Sequence, residues 1–230
     1  AAVTQAKNVL SKVKTGTRPE ELALVSRQTL AAKTSRENAN RSAVEAIKSA
    51  FEASDDAIRN AADHLFVDGE TDTPTLRFTP HDTSSSAASL ISDRKDITDL
   101  LDEWRDDTTK KKTLSSDDTE SFLLKQKKRV RKVRDFLDDL SAAVNALSTS
   151  DGIDATTLDT WKNGLAGARL RVATASATLL QTESAFRDAE KNTDISQDTL
   201  ALSQAGPQTQ DIIIAQAALD TALQSLALAD

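Results

Sequence analysis

The chain has 230 residues, of which 38% are hydrophobic and 3% aromatic, with no Cys, Met or Tyr and a net charge of −7. So few large side chains, with Gly and Pro scarce, argue against a compact enzyme and for an all-helical, elongated protein that packs its helices through alanine. The acidic balance argues against a general nucleic-acid binder, the lack of Cys excludes disulfides and thiolate metal sites, and no run approaches the length of apolar sequence a membrane span needs.

In chain order, Val3, Ala6, Leu10 and Val13 form a heptad seam that predicts a helix over 1–15. A break follows at Gly16-Thr17-Arg18-Pro19. The next helix is expected over 19–66, because no proline interrupts it. Ala39, Ala43, Ala46, Ala50, Ala53 and Ala57 repeat along it at heptad spacing, beside Ile47, Phe51, Ile58 and Leu65. Segment 67–83 contains Asp68-Gly69, Pro74 and Pro80 and reads as the longest loop. Helices are expected at 84–108, 116–148 and 155–204, separated by turns at Lys110–Ser116 and Ser148–Asp154. Ser116 or Asp117, and Asp154 or Thr156, suit the N-cap position. Leu165, Ala168, Val172, Ala175 and Leu179 form a further seam. A second break, Gly206-Pro207, precedes a helix at 208–229 with Ile212, Ala215, Leu219, Ala222 and Leu226 on one stripe.

The two breaks lie near opposite ends of the chain, as expected for a hairpin whose arms are interrupted at about the same height. All Phe and Trp fall between 51 and 186, and the arms outside that span have none. Large side chains fill a core shared by four helices, whereas Ala and Leu seams suit two helices in close contact. The expected architecture is therefore all-α. An antiparallel two-stranded coiled-coil stem from 1–45 and 186–230 is capped by an up-down four-helix bundle over 46–185. Gly16, Pro19, Gly206 and Pro207 are read as structural bends of the stem. The absence of Met leads us to expect a chain processed or excised from a longer one, with any membrane anchor lying outside it.

Candidate sites are few. His64 and His81 lack a ligand partner at i+3 or i+4 and read as ordinary surface histidines. Asp68, Glu70 and Asp72 alternate in a loop and could hold calcium, but they lack the glycine and distal glutamate of a calcium loop. Ten residues from Lys125 to Arg134 carry seven cations, Lys125, Lys128, Arg129, Arg131 and Lys132 among them. One reading is an anion-binding face for lipid headgroups or an acidic partner. The other is a solvated helix face that pairs with nearby acids such as Asp93, Asp96, Asp99, Asp102, Glu103, Asp106 and Asp107, and their abundance favours it. No Gly-rich phosphate loop, Cys pair or Ser/His/Asp order is present, so no catalytic residue, cofactor or metal is expected, and the chain does not read as an enzyme.

The segment Val13-Lys14-Thr15-Gly16-Thr17-Arg18-Pro19-Glu20-Glu21-Leu22-Ala23 resembles the AGTRPEEI segment in helical hairpins of periplasmic adaptor proteins, also called membrane fusion proteins or secretion adaptors. Leu200 to Pro207 looks like a degenerate second copy. The ending, Ala217 to Asp230, resembles the stretch that leads such hairpins back into a lipoyl-like domain. The resemblance covers the arms. It implies a membrane-anchored subunit in the periplasm or extracytoplasmic envelope, linking an inner-membrane transporter to the rest of an efflux or secretion machine. The partners it implies are transporter and export-complex proteins, with homo-oligomers in the full-length protein and membrane contact only through segments outside this chain. Two features depart from the family pattern. About 140 residues stand where a usual hairpin turns tightly, and the R-x3-L-x6-S pattern of channel-docking tips is missing. From other classes, a helical-bundle sensory domain of a membrane receptor, or a filament or surface-layer protein, would also be helical and acidic.

Overall fold

A computed structural model describes residues 1–16, 19–81, 86–110, 116–206 and 209–228. The fold is all-α. Helices α1 (Ala2–Thr15), α2 (Pro19–Ala57), α3 (Ala87–Lys110), α4 (Ser116–Asn145), α5 (Ala155–Ala205) and α6 (Thr209–Ala227) account for most of the described chain. The chain divides into two compact units, one of residues 1–37 and 188–230, the other of residues 38–187.

Local chemistry explains the helix ends. Pro19 opens α2, where its fixed φ suits a first turn and its missing N–H costs nothing. Glu20 and Glu21 follow and face the positive end of the helix dipole. Ser86 caps α3 by accepting the Ser89 N–H at 3.1 Å, and Asp154 caps α5 by accepting the Thr157 N–H at 2.9 Å. Asp154, not Thr156, is thus the cap. The side chains of Ser116 and Asp117, like the turn at 111–115, lie outside the described residues.

In the first unit, α1 packs on α6 around Leu10, Ala215 and Leu219, flanked by Val3, Ala6, Val13 and Ile212. The N-terminal part of α2 pairs with the C-terminal part of α5. Thr29 Oγ1 lies 3.0 Å from Ser196 O, and Thr193 Oγ1 donates to Ala32 O at 3.1 Å. Three residues on in one helix match three residues back in the other, so the strands of this pair are antiparallel.

The second unit draws on α2, α3, α4 and α5, which share one hydrophobic core that includes Ile47, Ile58, Leu90, Trp104, Leu137 and Leu165. Cross-helix pairs run in opposite order along chain neighbours. Asp55 meets Arg105 while Asp63 meets Arg94, and Glu120 meets Arg187 while Asp138 meets Arg169. The unit reaches below the expected start at 46, because Thr119 Oγ1 donates to Asn40 Oδ1 at 2.6 Å and Ala43 is fully buried. The division falls between 37 and 38 and between 187 and 188.

Three expectations need correction. The helix expected to 66 leaves α geometry at Ile58. A π turn spans Ile58–Ala62, closed by the Asp63 N–H on Ile58 O, and a 3-10 turn follows at Asp63–Leu65. This winding buries Ile58, Ala61, Ala62 and Leu65 while bringing the Asp63 carboxylate to Arg94. The segment expected as plain loop contains an antiparallel ladder of β1 (Phe66–Val67) and β2 (Thr75–Leu76), clasped by Arg77 Nε on Phe66 O at 2.8 Å. Helix α4 stops at Asn145, three residues before the expected 148, because Leu147 turns into the core and Ser148 starts a capping box with Asp151.

Candidate functional site

The basic run of α4 is divided by the fold. Helical spacing turns Lys125 and Arg129 toward α3. There Lys125 Nζ contacts Glu103 and Asp107, both at 2.8 Å, and Arg129 Nη2 lies 2.9 and 2.7 Å from the same two carboxylates. The Arg129 guanidinium is buried, stands 5.9 Å from the Trp104 ring and donates from Nη1 to Gln126 Oε1 at 3.1 Å. Lys127 turns the other way, to Glu183 on α5 at 2.5 Å, and Arg134 pairs with Asp135. The hydrogen bond from Lys125, then the charge of Arg129, hold the Glu103 carboxyl below its usual range. Burial works against ionised Asp107, but Lys125 and Arg129 outweigh it and its pKa is also lowered. Lys125 is correspondingly raised by Asp107 and Glu103.

Lys128, Arg131 and Lys132 are exposed and have no ion pair or side-chain hydrogen bond among the described residues. Of the five cations singled out in the sequence, Lys125 and Arg129 are therefore structural, and three form a free face. Every other described Lys or Arg of residues 38–187 has a polar partner, down to Arg41 on Asn38, Arg77 on a backbone carbonyl and Lys162 on Leu147 O.

The other candidates are placed as follows. His64 is exposed, and His81 Nε2 contacts Asp151 Oδ1 at 2.8 Å, which together with the Ser148 N–H keeps the Asp151 carboxyl below its usual range. The acidic triplet does not converge. Glu70 pairs with Arg59, Asp72 lies 3.5 Å from Lys95, and Asp68 takes a positive φ of 54°. Among the described residues no group of three or more His, Cys, Asp or Glu could hold a metal. Gly16 and Gly206 have φ of 65° and 74° and line one open depression with Val9, Val13, Ile214 and Ala218. Thr17, Arg18 and Pro207 lie outside the described residues.

Comparison with known proteins supplies no family. No family model, no curated protein and no solved structure matches this chain. Among the described residues no helix is long and apolar enough to cross a membrane.

Two features were not visible in the sequence. The first is a buried ion pair in which Arg94, 2% exposed, donates from Nε and Nη2 to Asp63 Oδ1 at 2.8 and 2.5 Å and from Nη1 to Thr98 Oγ1 at 2.6 Å. Burial raises the Asp63 pKa against the opposing pull of Arg94. Gly69 lies close beside it: a Cβ there would stand 2.8 Å from Asp63 Oδ1, so a larger residue would have to push the carboxylate aside. The second is a cleft of about 430 Å³ between α2 and the end of α3, floored by Val44, Ile47, Phe51 and Phe122 and rimmed by Lys48, Glu52 and Arg105. Asp63 and Arg94 are 31 residues apart, and no local spacing rule joins them.

Proposed function

We propose that this chain is the helical part of a periplasmic adaptor, a non-catalytic subunit of an envelope export complex. The unit of residues 1–37 and 188–230 acts as spacer, and the unit of residues 38–187 as recognition element between an inner-membrane transporter and outer components. One observation carries this reading. Two glycines of positive φ, Gly16 after α1 and Gly206 after α5, interrupt the helices at one depression, and the first opens the Gly16-Thr17-Arg18-Pro19-Glu20-Glu21 segment that resembles adaptor hairpins. An interrupted helix pair needs residues that reverse φ cheaply, and glycine does so without a Cβ clash.

The test is made in the organism that carries the full-length protein, with a photo-crosslinking residue at Leu24. Adducts with a membrane transporter, in the envelope fraction, are expected. A protein found only in the cytosol, without such adducts, overturns the reading.

A second reading, a ligand-binding sensory domain, is favoured by the cleft at Phe51. Its volume lies within the ~300–1,000 Å³ of small-molecule sites, and an apolar floor with a charged rim suits an amphipathic ligand. A small compound that raises Tm in wild type but not in Phe51→Ala would support it. A screen with no such compound leaves the spacer reading in place.

A further inference from the structure

We propose that the outer face of α4 carrying Leu124, Lys128, Arg131 and Lys132 docks an acidic helical segment of a partner protein. This goes beyond the adaptor reading and does not depend on it. The argument starts from selective pairing. The unit of residues 38–187 gives a polar partner to every other described Lys and Arg, including four of the seven cations in the run from Lys125 to Arg134. The three it leaves are not scattered. They stand at i, i+3 and i+4 on one helix, and so share a face. Acids are in excess over bases, 36 to 29, yet among the described residues none has been brought to these three. The neighbouring Asp135 turns to Arg134 instead.

Leu124, 41% exposed, precedes Lys128 by one turn. Leu124, Lys128 and Arg131 therefore form a line at i, i+4 and i+7, the spacing with which one helix reads another. A complementary helix would set one apolar side chain on Leu124 and carboxylates, three and four residues apart, opposite the cations. Arg131 can take a carboxylate bidentately, and the two lysines add less directional charge. The surface from 124 to 132 runs about 12 Å, or two turns. That is small, so the contact belongs with transient, salt-sensitive ones. An anionic bilayer suits the face less well. Interfacial helices insert several apolar side chains, whereas this face offers Leu124 alone and the whole chain carries −7.

The full chain is titrated, by fluorescence anisotropy, against a labelled helical peptide with Glu at i, i+3 and i+4 and a Leu one turn before. Binding at low ionic strength that fades at high salt is expected. The variant K128E/R131E/K132E should bind at least about tenfold more weakly. The variant R27E/K33E/K191E makes the same change in net charge on the other unit and should bind like wild type. K128Q/R131Q/K132Q, a milder change at exposed positions, should also weaken binding and guards against misfolding of the charge reversal. Absence of peptide binding by wild type overturns the proposal, as does equal weakening in the control. Sedimentation with phosphatidylserine–phosphatidylcholine vesicles, lost in K128Q/R131Q/K132Q while the peptide does not bind, would reassign the face to a membrane and overturn it too.

Discussion

The two units bury their helices in opposite styles. In residues 38–187 a helix has more than one neighbour, and large side chains are fully buried there beside alanines: Trp104, Arg94, Phe66 and Ile58 among them. In residues 1–37 and 188–230 the pairs α1–α6 and α2–α5 each close a single seam. The buried residues there are small or medium, among them Leu10, Ala189, Ala215 and Leu219, while Leu30, Leu202, Ile213 and Ile214 remain more than half exposed. A helix with one neighbour can hide one stripe only. Its specificity must then come from polar ties across the seam, and Thr29 and Thr193, both buried, supply them. Stability should accordingly depend on volume in one unit and on backbone geometry and hydroxyls in the other.

The largest effect expected from this contrast is at Trp104. Trp104→Ala should destabilise the four-helix unit by about 4 kcal/mol. Urea unfolding followed by Trp161 fluorescence should shift strongly, and a protein that kept its midpoint would break the contrast. Next comes the buried ion pair. Asp63→Ala removes the acceptor of both Arg94 hydrogen bonds and leaves the buried guanidinium unsatisfied, which should cost about 3 kcal/mol, while Asp63→Leu with Arg94→Met should recover most of it. An equal loss in single and double variants would show that the pair does not hold the π turn.

In the unit of residues 1–37 and 188–230 the effects should be smaller. Gly206→Ala has open space for its Cβ but must keep a positive φ, so it should cost about 1 kcal/mol, with Gly206→Asn milder. Thr193→Val keeps the shape and loses the hydroxyl shared between Ala32 O and Ala189 O, for about 1 kcal/mol or less. Hydrogen exchange on α2 and α5 should report both changes, and no change in protection would remove the hydroxyls from the account.

The smallest effect expected is one of pH. Glu103 and Asp107 have folded pKa values below the ordinary range, so the stability they contribute is present above about pH 4 and is lost as pH falls through their folded values. Glu103→Gln with Asp107→Asn should lose less stability on acidification than wild type. Asp63 is shifted upward and acts in the opposite sense: its contribution is greatest at low pH and is lost as pH rises through its folded pKa. Urea midpoints at neutral and acidic pH separate the two, and parallel curves for wild type and the Glu103–Asp107 variant would show that the cluster does not stabilise the fold.

Helical character and the interruption at Gly16 and Gly206 were legible because they are local: heptad spacing, proline placement and glycine at positive φ all act within a few residues. The cation-rich run was legible as a run, but not its division. Which of Lys125, Lys128, Arg129, Arg131 and Lys132 is free depends on which helix faces each side of α4. The π turn and the short β1–β2 ladder were hidden for the same reason. Residues 58–65 keep an ordinary helical pattern of apolar positions, and the departure from α geometry accompanies the long-range match of Asp63 with Arg94.

By itself, then, the sequence determined the helix count, the positions of both glycine breaks, and the segregation of aromatic side chains away from the chain ends, since propensity and periodicity are short-range. Tertiary structure alone decided the buried Asp63–Arg94 pair, the hydroxyl ties of Thr29 and Thr193, and which three cations have no partner among the described residues. Each of these depends on distances between helices far apart in the chain, which burial and charge pairing settle only once the helices have packed.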